Sequence, residues 1–202
     1  MAANQASRAV RLPPPDLGSQ SLPRTRQLAR PWFRAHRRQD KAIVFNLKPT
    51  HRFSHPSCPC PILYVAMDAE TCLWEVFGDT VFDCGHVVPK TQWDDLILSR
   101  IDVPHLHLCD LSKTATRSSL TVDLTALMND DLTVPQEWGL TIQRHPSQVP
   151  AIKFKSRFTG SACLAIFDRG GIHHRLREAS LGSLNRFDQA LAWLTKHQVT
   201  LL

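Results

Sequence analysis

The stretch Ile62–Asp79 constrains the fold most, because it predicts a buried strand followed at once by a helix. Residues 62–66 form an apolar run with β-branched and aromatic members, as in a buried strand. Asp68 is a suitable N-cap for the helix, because its carboxylate can accept the free N–H groups of the first turn. Tyr64 on the strand and Glu75 on the flank of the helix therefore predict one wall of a pocket.

The chain is long enough for one domain with a substantial hydrophobic core. It has 202 residues, of which 43% are hydrophobic and 21% charged. No apolar run approaches the ~20 residues that a membrane-spanning helix needs, and the N-terminus has no apolar leader. We therefore expect a cytoplasmic protein without membrane contact, whose six cysteines are reduced thiols.

The positive charge is concentrated in the leading segment. Residues 1–41 hold nine Lys or Arg and two Asp, a net charge of +7, whereas the whole chain carries +6. The rest of the chain is close to neutral, so we do not expect the fold itself to bind nucleic acid directly. Residues 1–29, with a run of three prolines, predict a basic disordered arm, and residues 30–202 predict a single domain.

Strands and helices do not alternate regularly in the remaining sequence. Strands are predicted at 32–36, at 151–156 and at 161–168, the last two joined as a hairpin. Helices are predicted at 133–145 and at 181–197, the second with its apolar residues on one stripe. The predicted fold class is therefore α+β, with mixed or antiparallel sheets and flanking helices.

The sequence lacks the motifs of several common active sites. It has no glycine-rich phosphate loop, no Gly-x-Ser-x-Gly elbow and no His-Glu-x-x-His helix. His51, His55, Cys58 and Cys60 lie within ten residues of one another. A single Cys-x-Cys flanked by prolines is nevertheless poor spacing for four tetrahedral ligands. We therefore expect no metal site.

Arg34, Arg52, Tyr64 and Glu75 are the side chains best suited to a polar site. The planar fork of arginine fits the oxygens of phosphate or pyrophosphate. Tyrosine offers a ring face and a hydroxyl group, and a partly buried carboxylate is seldom placed for solubility alone. Structural interpretations stay open: Tyr64 as a core aromatic residue, Arg52 as the anchor of its own loop, and Glu75 as one half of a salt bridge.

An ordered set of short motifs between Trp32 and Arg169 resembles the RES-domain family, which is named for an arginine, a glutamate and a serine. The motifs, in the order of the family, are Trp32-Phe33-Arg34, His51-Arg52-Phe53-Ser54-His55-Pro56, Leu63-Tyr64-Val65-Ala66, Cys72-Leu73-Trp74-Glu75-Val76, Gln136-Glu137-Trp138, Lys155-Ser156-Arg157 and Leu164-Ala165-Ile166-Phe167-Asp168-Arg169. Each motif is short, so the resemblance depends on their order along most of the chain.

The resemblance implies a fold like that of ADP-ribosyltransferase toxins and a reaction that breaks the nicotinamide–ribose bond of NAD⁺. Members of the family use phosphorolysis or hydrolysis. NAD⁺ is therefore expected as a substrate and inorganic phosphate as a co-substrate, without a resident cofactor. Such proteins act as toxins restrained by a DNA-binding antitoxin of the Xre type, which is the partner that we expect.

The resemblance also implies roles for the site residues. Glu75 would stabilise the oxocarbenium-like transition state of bond cleavage, with Arg34 as the second catalytic residue. Arg52 would hold the oxygens of a phosphate or pyrophosphate group. Tyr64 would lie against the nicotinamide ring.

Two hydroxyl groups could correspond to the serine of the family, and the sequence leaves the choice open. One belongs to Thr133, the predicted N-cap of the helix at 133–145. The other belongs to Ser156 in the motif Lys-Ser-Arg. The chain also departs from the family pattern at three places. His51 stands where glycine commonly precedes the loop arginine, Ala35 follows the first arginine, and Pro150-Ala151 replaces the usual Asp-Gly.

Two other functions stay open from the sequence. The same pocket would serve a transferase that moves ADP-ribose onto a protein, and the basic residues 1–41 would serve a module that binds nucleic acid. The apolar segment at 181–202 would either cap the core or pair with a second copy of the chain, so a homo-oligomer is compatible with the sequence.

Overall fold

A computed structural model describes residues 12–202 of the chain. In that range the strands are β1 (Thr25–Gln27), β2 (Arg30–Arg37), β3 (Ile62–Ala66), β4 (Val87–Val88), β5 (Leu96–Val103), β6 (Leu106–Asp110), β7 (Ala151–Lys155), β8 (Ala162–Phe167), β9 (Arg177–Ser183) and β10 (Thr200–Leu201). The helices are α1 (Ala69–Asp83), α2 (Lys90–Asp94), α3 (Thr114–Leu120), α4 (Leu124–Met128), α5 (Thr133–Arg144), α6 (Ile172–Arg175) and α7 (Asp188–Lys196).

The large sheet has eight strands in the order β1-β6-β7-β8-β3-β2-β5-β9. All neighbouring pairs in it are antiparallel except β6 and β7. A small second sheet pairs β10 with β4 in parallel. Helices flank the sheets, so the α+β class predicted from the sequence is confirmed, with β3 in the interior of the large sheet.

Side chains of β3 alternate between the two faces of the sheet, and each face carries its own core. Ile62 and Ala66 pack in the core that includes α1, whereas Leu63 and Val65 pack in the core on the other face. The first core buries large aromatic residues of the helices: Phe77, Trp93, Trp138 and Trp193. Because both faces of β3 are covered, its sequence is an unbroken apolar run.

Helix α1 begins as predicted, since the carboxylate of Asp68 accepts the backbone N–H of Thr71 at 2.7 Å. Cys72 and Leu73 of this helix are buried, but Val76 is 42% exposed. The predicted strand and helix are therefore confirmed, and the surface of the helix opens to solvent at Val76.

Residues 12–29 are not the disordered arm that the sequence predicted for the first 29 residues. β1 extends the large sheet by pairing with β6. Leu17, in a short 3-10 turn that packs on α5, and Leu22 are both buried. The prediction is therefore wrong for this part, because two apolar anchors and a short strand fix it to the domain. Residues 1–11 lie outside the described residues.

The C-terminal helix is shorter than the predicted helix at 181–197. Leu181 belongs to β9, and a 3-10 turn follows at Leu184–Arg186. Gly182 has a positive φ of 98° close to the register shift between β9 and β5. Glycine tolerates this backbone conformation, and the strand ends there in an irregularity. The helix therefore begins only at Asp188.

Thr133 is the first residue of α5 and not its N-cap, because the carboxylate of Asp131 accepts the N–H of Thr133 at 2.9 Å. Gln136, on the first turn of the same helix, reaches a different segment of the chain. Its Nε2 donates to the carbonyl oxygens of Pro49 at 2.5 Å and His51 at 3.2 Å. Helix α5 therefore supports the loop that precedes β3.

No helix within residues 12–202 is long and apolar enough to cross a membrane. All six cysteines are free thiols. Four of them are buried: Cys58, Cys72, Cys109 and Cys163. Burial raises the pKa of the Cys109 thiol to about 12, which keeps it a neutral packing group.

Gly139 sets how closely α5 approaches the loop before β3, since a Cβ there would overlap the backbone carbonyl group of Phe53. We predict that Gly139→Ala lowers the free energy of unfolding by about 2 kcal/mol, because overpacking against backbone forces a shift. Gly18→Ala is the matched control, since nothing lies within 4 Å of its added Cβ. Urea unfolding measures both variants, and equal midpoints would contradict the prediction.

Candidate active site

One cavity of about 210 Å³ brings four of the predicted site residues together. Arg34 comes from β2, Arg52 from the loop before β3, Tyr64 from β3 and Glu75 from α1. The cavity lies where β2 and β3 separate, because these two strands pair at a single position. The predicted pocket wall of tyrosine and glutamate is therefore part of a real cavity.

The hydroxyl group beside this cavity belongs to Ser156 and not to Thr133. Ser156 is fully buried, and its Oγ accepts the N–H groups of Phe158 at 3.2 Å and Thr159 at 3.3 Å. The hydroxyl proton is then available to the nearby carboxylate of Glu75, whose pKa the Ser156 hydroxyl lowers. Thr133 is exposed at the start of α5 and does not line the cavity.

The surroundings of Glu75 raise the pKa of its carboxyl group. Burial among the walls of the cavity disfavours the charged form, and this desolvation is the largest effect. The Ser156 hydroxyl and the charges of Arg52 and Arg157 favour the carboxylate and offset part of the shift. The carboxyl group therefore titrates closer to neutral pH than an ordinary glutamate, while its side chain keeps access to solvent at the mouth of the cavity.

Arg52 lines the cavity and also holds a neighbouring segment. Its Nη1 donates to the carbonyl oxygen of Leu127 and, at 3.0 Å, to that of Asn129. Burial lowers the pKa of the guanidinium group, and the nearby carboxylate of Glu75 opposes that shift. Nη1 of Arg52 therefore anchors this neighbouring segment, while the guanidinium group as a whole also lines the cavity.

Arg34 is fixed by β2 and by one side-chain bond, in which its Nη1 donates to the carbonyl oxygen of Val44 at 3.2 Å. The adjacent N–H of Ala35 donates to Sγ of Cys72 at 3.0 Å, which joins β2 to α1. Burial lowers the pKa of Arg34 and raises the pKa of the Cys72 thiol to about 12. Cys72 is therefore a neutral packing group beside the arginine.

The hydroxyl group of Tyr64 fastens the loop before β3. It accepts the backbone N–H of Phe53 at 3.1 Å and lies 3.0 Å from the hydroxyl oxygen of Ser54. Burial raises its pKa above the ordinary value of tyrosine. Because the hydroxyl is engaged within the protein, the ring is the part of Tyr64 that can meet a ligand in the cavity.

Among the other residues that line the cavity, Asn46, His51 and Val76 are three that the sequence does not indicate as site residues. His51 occurs in the sequence within a weak metal-ligand pattern and as a departure from the family pattern, and Val76 occurs only as the end of a family motif. Two of the three stand next to predicted site residues, Arg52 and Glu75, so adjacency in the chain was the available signal. Asn46 has no such signal, because its place depends on the course of the loop.

Arg157 braces the elements that meet at Glu75. It forms ion pairs with Asp79 of α1 and Asp130 of the segment before α5. Its guanidinium group also lies over the ring of Phe158, 4.6 Å from the centroid. The residue that follows Ser156 in the chain therefore holds the turn after β7 against α1.

No group of three or more His, Cys, Asp or Glu side chains within residues 12–202 is arranged to hold a metal ion. The histidine and cysteines that follow the loop arginine have protein partners instead. The Nε2 atom of His55 lies 3.4 Å from a carboxylate oxygen of Glu137. Sγ of Cys58 accepts a hydrogen bond from Nε2 of Gln143 at 3.1 Å, and Sγ of Cys60 accepts one from Arg169.

The mixed sheet with its flanking helices defines an α+β fold, as the sequence predicted, and this fold holds a cavity of arginine, tyrosine and glutamate side chains. The chain belongs to the RES domain family, whose sequence profile matches residues 23–186. The resemblance inferred from the ordered motifs is thereby confirmed.

Among solved structures, the chain is similar to one in the crystal structure of the M. tuberculosis MbcT–MbcA toxin–antitoxin complex. The TM-score is 0.64 at 16% sequence identity, and the match covers 84% of this chain and 92% of that one. At this identity the likeness shows a shared fold. No curated protein matches the chain.

We predict that Glu75→Gln stabilises the fold at neutral pH. Because folding raises the pKa of Glu75, ionising this group costs stability once the pH exceeds the pKa of the unfolded chain. The melting temperature at pH 7 should rise by about 2 °C, and the difference should vanish below about pH 4. Glu70→Gln is the matched control of opposite sign, since Lys196 lowers the pKa of Glu70. A lower melting temperature for Glu75→Gln would contradict the prediction.

Proposed function

We propose that the chain is a toxin that degrades NAD⁺ by cleaving its nicotinamide–ribose bond, through hydrolysis or phosphorolysis, and that an antitoxin restrains it. Membership of the RES domain family supports this class of activity. The observation that carries the proposal is one cavity that brings the carboxylate of Glu75 together with two arginines and the ring of Tyr64.

Glu75 is suited to act on the ribose. Cleavage of an N-glycosidic bond passes through an oxocarbenium-like state, which a nearby carboxylate stabilises or orients through a ribose hydroxyl group. Ser156 fixes the direction of that carboxylate, and two backbone N–H groups in turn hold the oxygen of Ser156. The charge is therefore oriented before the reaction begins, and little reorganisation is needed during it.

Arg34 and Arg52 are suited to bind phosphate oxygens. The guanidinium fork matches either the pyrophosphate of NAD⁺ or inorganic phosphate as a co-substrate. Both groups are fixed: Arg34 by its strand and the carbonyl oxygen of Val44, and Arg52 by the carbonyl oxygens at the end of α4. Arg34, the proposed second catalytic residue, thus brings a positive charge to the cavity without a large loss of side-chain freedom.

The volume of the cavity suits one end of the dinucleotide. At about 210 Å³, it is smaller than the ~300–1,000 Å³ of typical small-molecule sites. We expect the nicotinamide to lie against the ring of Tyr64, with its ribose beside Glu75. The remainder of NAD⁺ would then extend from the mouth of the cavity.

The fold shared with a chain of the MbcT–MbcA toxin–antitoxin complex supports a protein partner. We expect a DNA-binding antitoxin of the Xre type. Coverage of the cavity mouth would be enough for restraint, because the proposed substrate must enter there. Substrate and partner both point to action in the cytoplasm.

Incubation of the purified protein with NAD⁺, with and without inorganic phosphate, tests the proposal. We expect loss of NAD⁺ and release of nicotinamide, at a rate at least ~100-fold lower in Glu75→Ala. Glu70→Ala is the matched control, because Glu70 lies on the same helix outside the cavity and should keep the parental rate.

Persistent NAD⁺ at high protein concentration, or a Glu75→Ala variant equal to the parent, would refute the enzymatic proposal. Label from NAD⁺ that appears on a macromolecule would instead identify an ADP-ribosyltransferase. A small labelled product, either ADP-ribose or its phosphate, is the expected result.

Ser156→Ala should move the acidic limb of the activity profile to higher pH. The Ser156 hydroxyl lowers the pKa of Glu75, so its removal lets that pKa rise further. The carboxylate is then lost at a higher pH as the solution is acidified. Initial rates of NAD⁺ loss across the acidic range measure the shift, with Ser119→Ala of α3 as the control. An unchanged limb would show that Ser156 does not tune Glu75.

A further inference from the structure

His51 lines the cavity, yet it has no part in the roles above. Its carbonyl oxygen accepts the N–H of Ser54 at 3.0 Å and Nε2 of Gln136 at 3.2 Å, so its own loop and α5 both fix its backbone. Its ring packs on Tyr64, with centroids 5.1 Å apart and planes at 51°. No hydrogen bond within residues 12–202 engages its ring nitrogens, so they can interact with a ligand.

The imidazole of this histidine is uncharged at neutral pH. Burial lowers its pKa, and the positive charges of Arg34 on β2 and Lys48 on the same loop lower it further. The other ionisable groups at the cavity are Arg52, the engaged hydroxyl of Tyr64, Glu75 on α1, and the thiols of Cys72 and Cys163, whose pKa values burial raises. A neutral imidazole has one nitrogen with a free lone pair, which can accept a proton.

Hydrolysis of the nicotinamide–ribose bond releases a proton that some group must accept. The C1′–N bond breaks, and its electron pair neutralises the pyridinium ring, so nicotinamide leaves uncharged. A water oxygen then forms the new bond to C1′ and loses one proton to give the hydroxyl group of ADP-ribose. In the proposed arrangement Glu75 is already engaged with the ribose and with Ser156, so the attacking water needs a different acceptor.

We propose that His51 is the general base of hydrolysis and takes this proton from the attacking water. Because His51 is partly enclosed by the cavity but keeps contact with solvent, the resulting imidazolium can pass the proton to bulk water and return to its neutral form. This role rests on the NAD⁺ cleavage proposed above and extends it. A phosphate dianion needs no base to attack C1′, so His51 acts in hydrolysis and not in phosphorolysis.

The test compares His51→Ala and His51→Gln with the parent in buffer without phosphate. Both variants should lose about 100-fold in kcat for NAD⁺ hydrolysis, the usual contribution of a general base, with little change in KM. Added imidazole should restore the rate of His51→Ala, where truncation leaves space, and not that of His51→Gln.

The pH profile of the hydrolysis rate is a second test. In the parent, the loss of activity at acidic pH should reflect the protonation of two groups, Glu75 and His51. In His51→Gln it should reflect the protonation of Glu75 alone. His107→Ala is the matched control, since His107 is exposed on β6 and does not line the cavity.

Several outcomes separate this role from the proposed function. The role is wrong, and the proposed function stands, if the parent degrades NAD⁺ while His51→Ala stays within about threefold of it. The same conclusion follows if imidazole restores nothing, or if the parent consumes NAD⁺ only when phosphate is present. A parent that leaves NAD⁺ intact overturns the proposed function, and the role of His51 falls with it.

Discussion

β2 and β3 pair at a single position, and the whole site depends on their separation. Phe33 lies opposite Ala66, whereas β2 pairs along its full length with β5 and β3 along its full length with β8. Each strand is therefore held by its other neighbour, and the two can part without breaking the sheet. A backbone group freed by the separation finds another partner, since the N–H of Ala35 donates to Sγ of Cys72. The result is a cleft inside a continuous sheet, with rigid strands for walls.

Aromatic packing behind the cleft determines where its chemistry is placed. Trp74 of α1 stacks on Phe158, with ring centroids 6.0 Å apart, and Gly78 leaves the space that this ring occupies, because a Cβ there would overlap it. The backbone N–H of Phe158 is one of the two that hold the oxygen of Ser156. Apolar contacts thus fix a turn, the turn fixes a hydroxyl group, and the hydroxyl orients Glu75. The catalytic carboxylate proposed here is therefore supported by the core itself.

The sequence predicts those features whose cause is local, and it misses those that depend on distant segments meeting. Asp68 caps α1 through atoms three residues away, so the start of that helix could be foreseen. Ser156 could not be chosen over Thr133, because only the pairing of β8 with β3 brings the turn after β7 beside α1. Leu17 and Leu22 have no periodic pattern around them, and only the packing of the domain shows that they anchor it. The two arginines and the glutamate could be named from the order of family motifs, whereas their common cavity required the separation of two strands.

Ser156 lies much later in the chain than the other polar residues of the site. Arg34, Arg52, Tyr64 and Glu75 all precede α2, whereas Ser156 and β8, the strand that borders β3, lie beyond α5. On the ribosome, a growing chain therefore carries both arginines and the glutamate without the strand that completes the sheet or the hydroxyl that orients the carboxylate. Because synthesis runs from the N-terminus, the proposed site is assembled only after Ser156 and β8 have been synthesised. The proposed antitoxin would therefore have a complete site to cover only after that point.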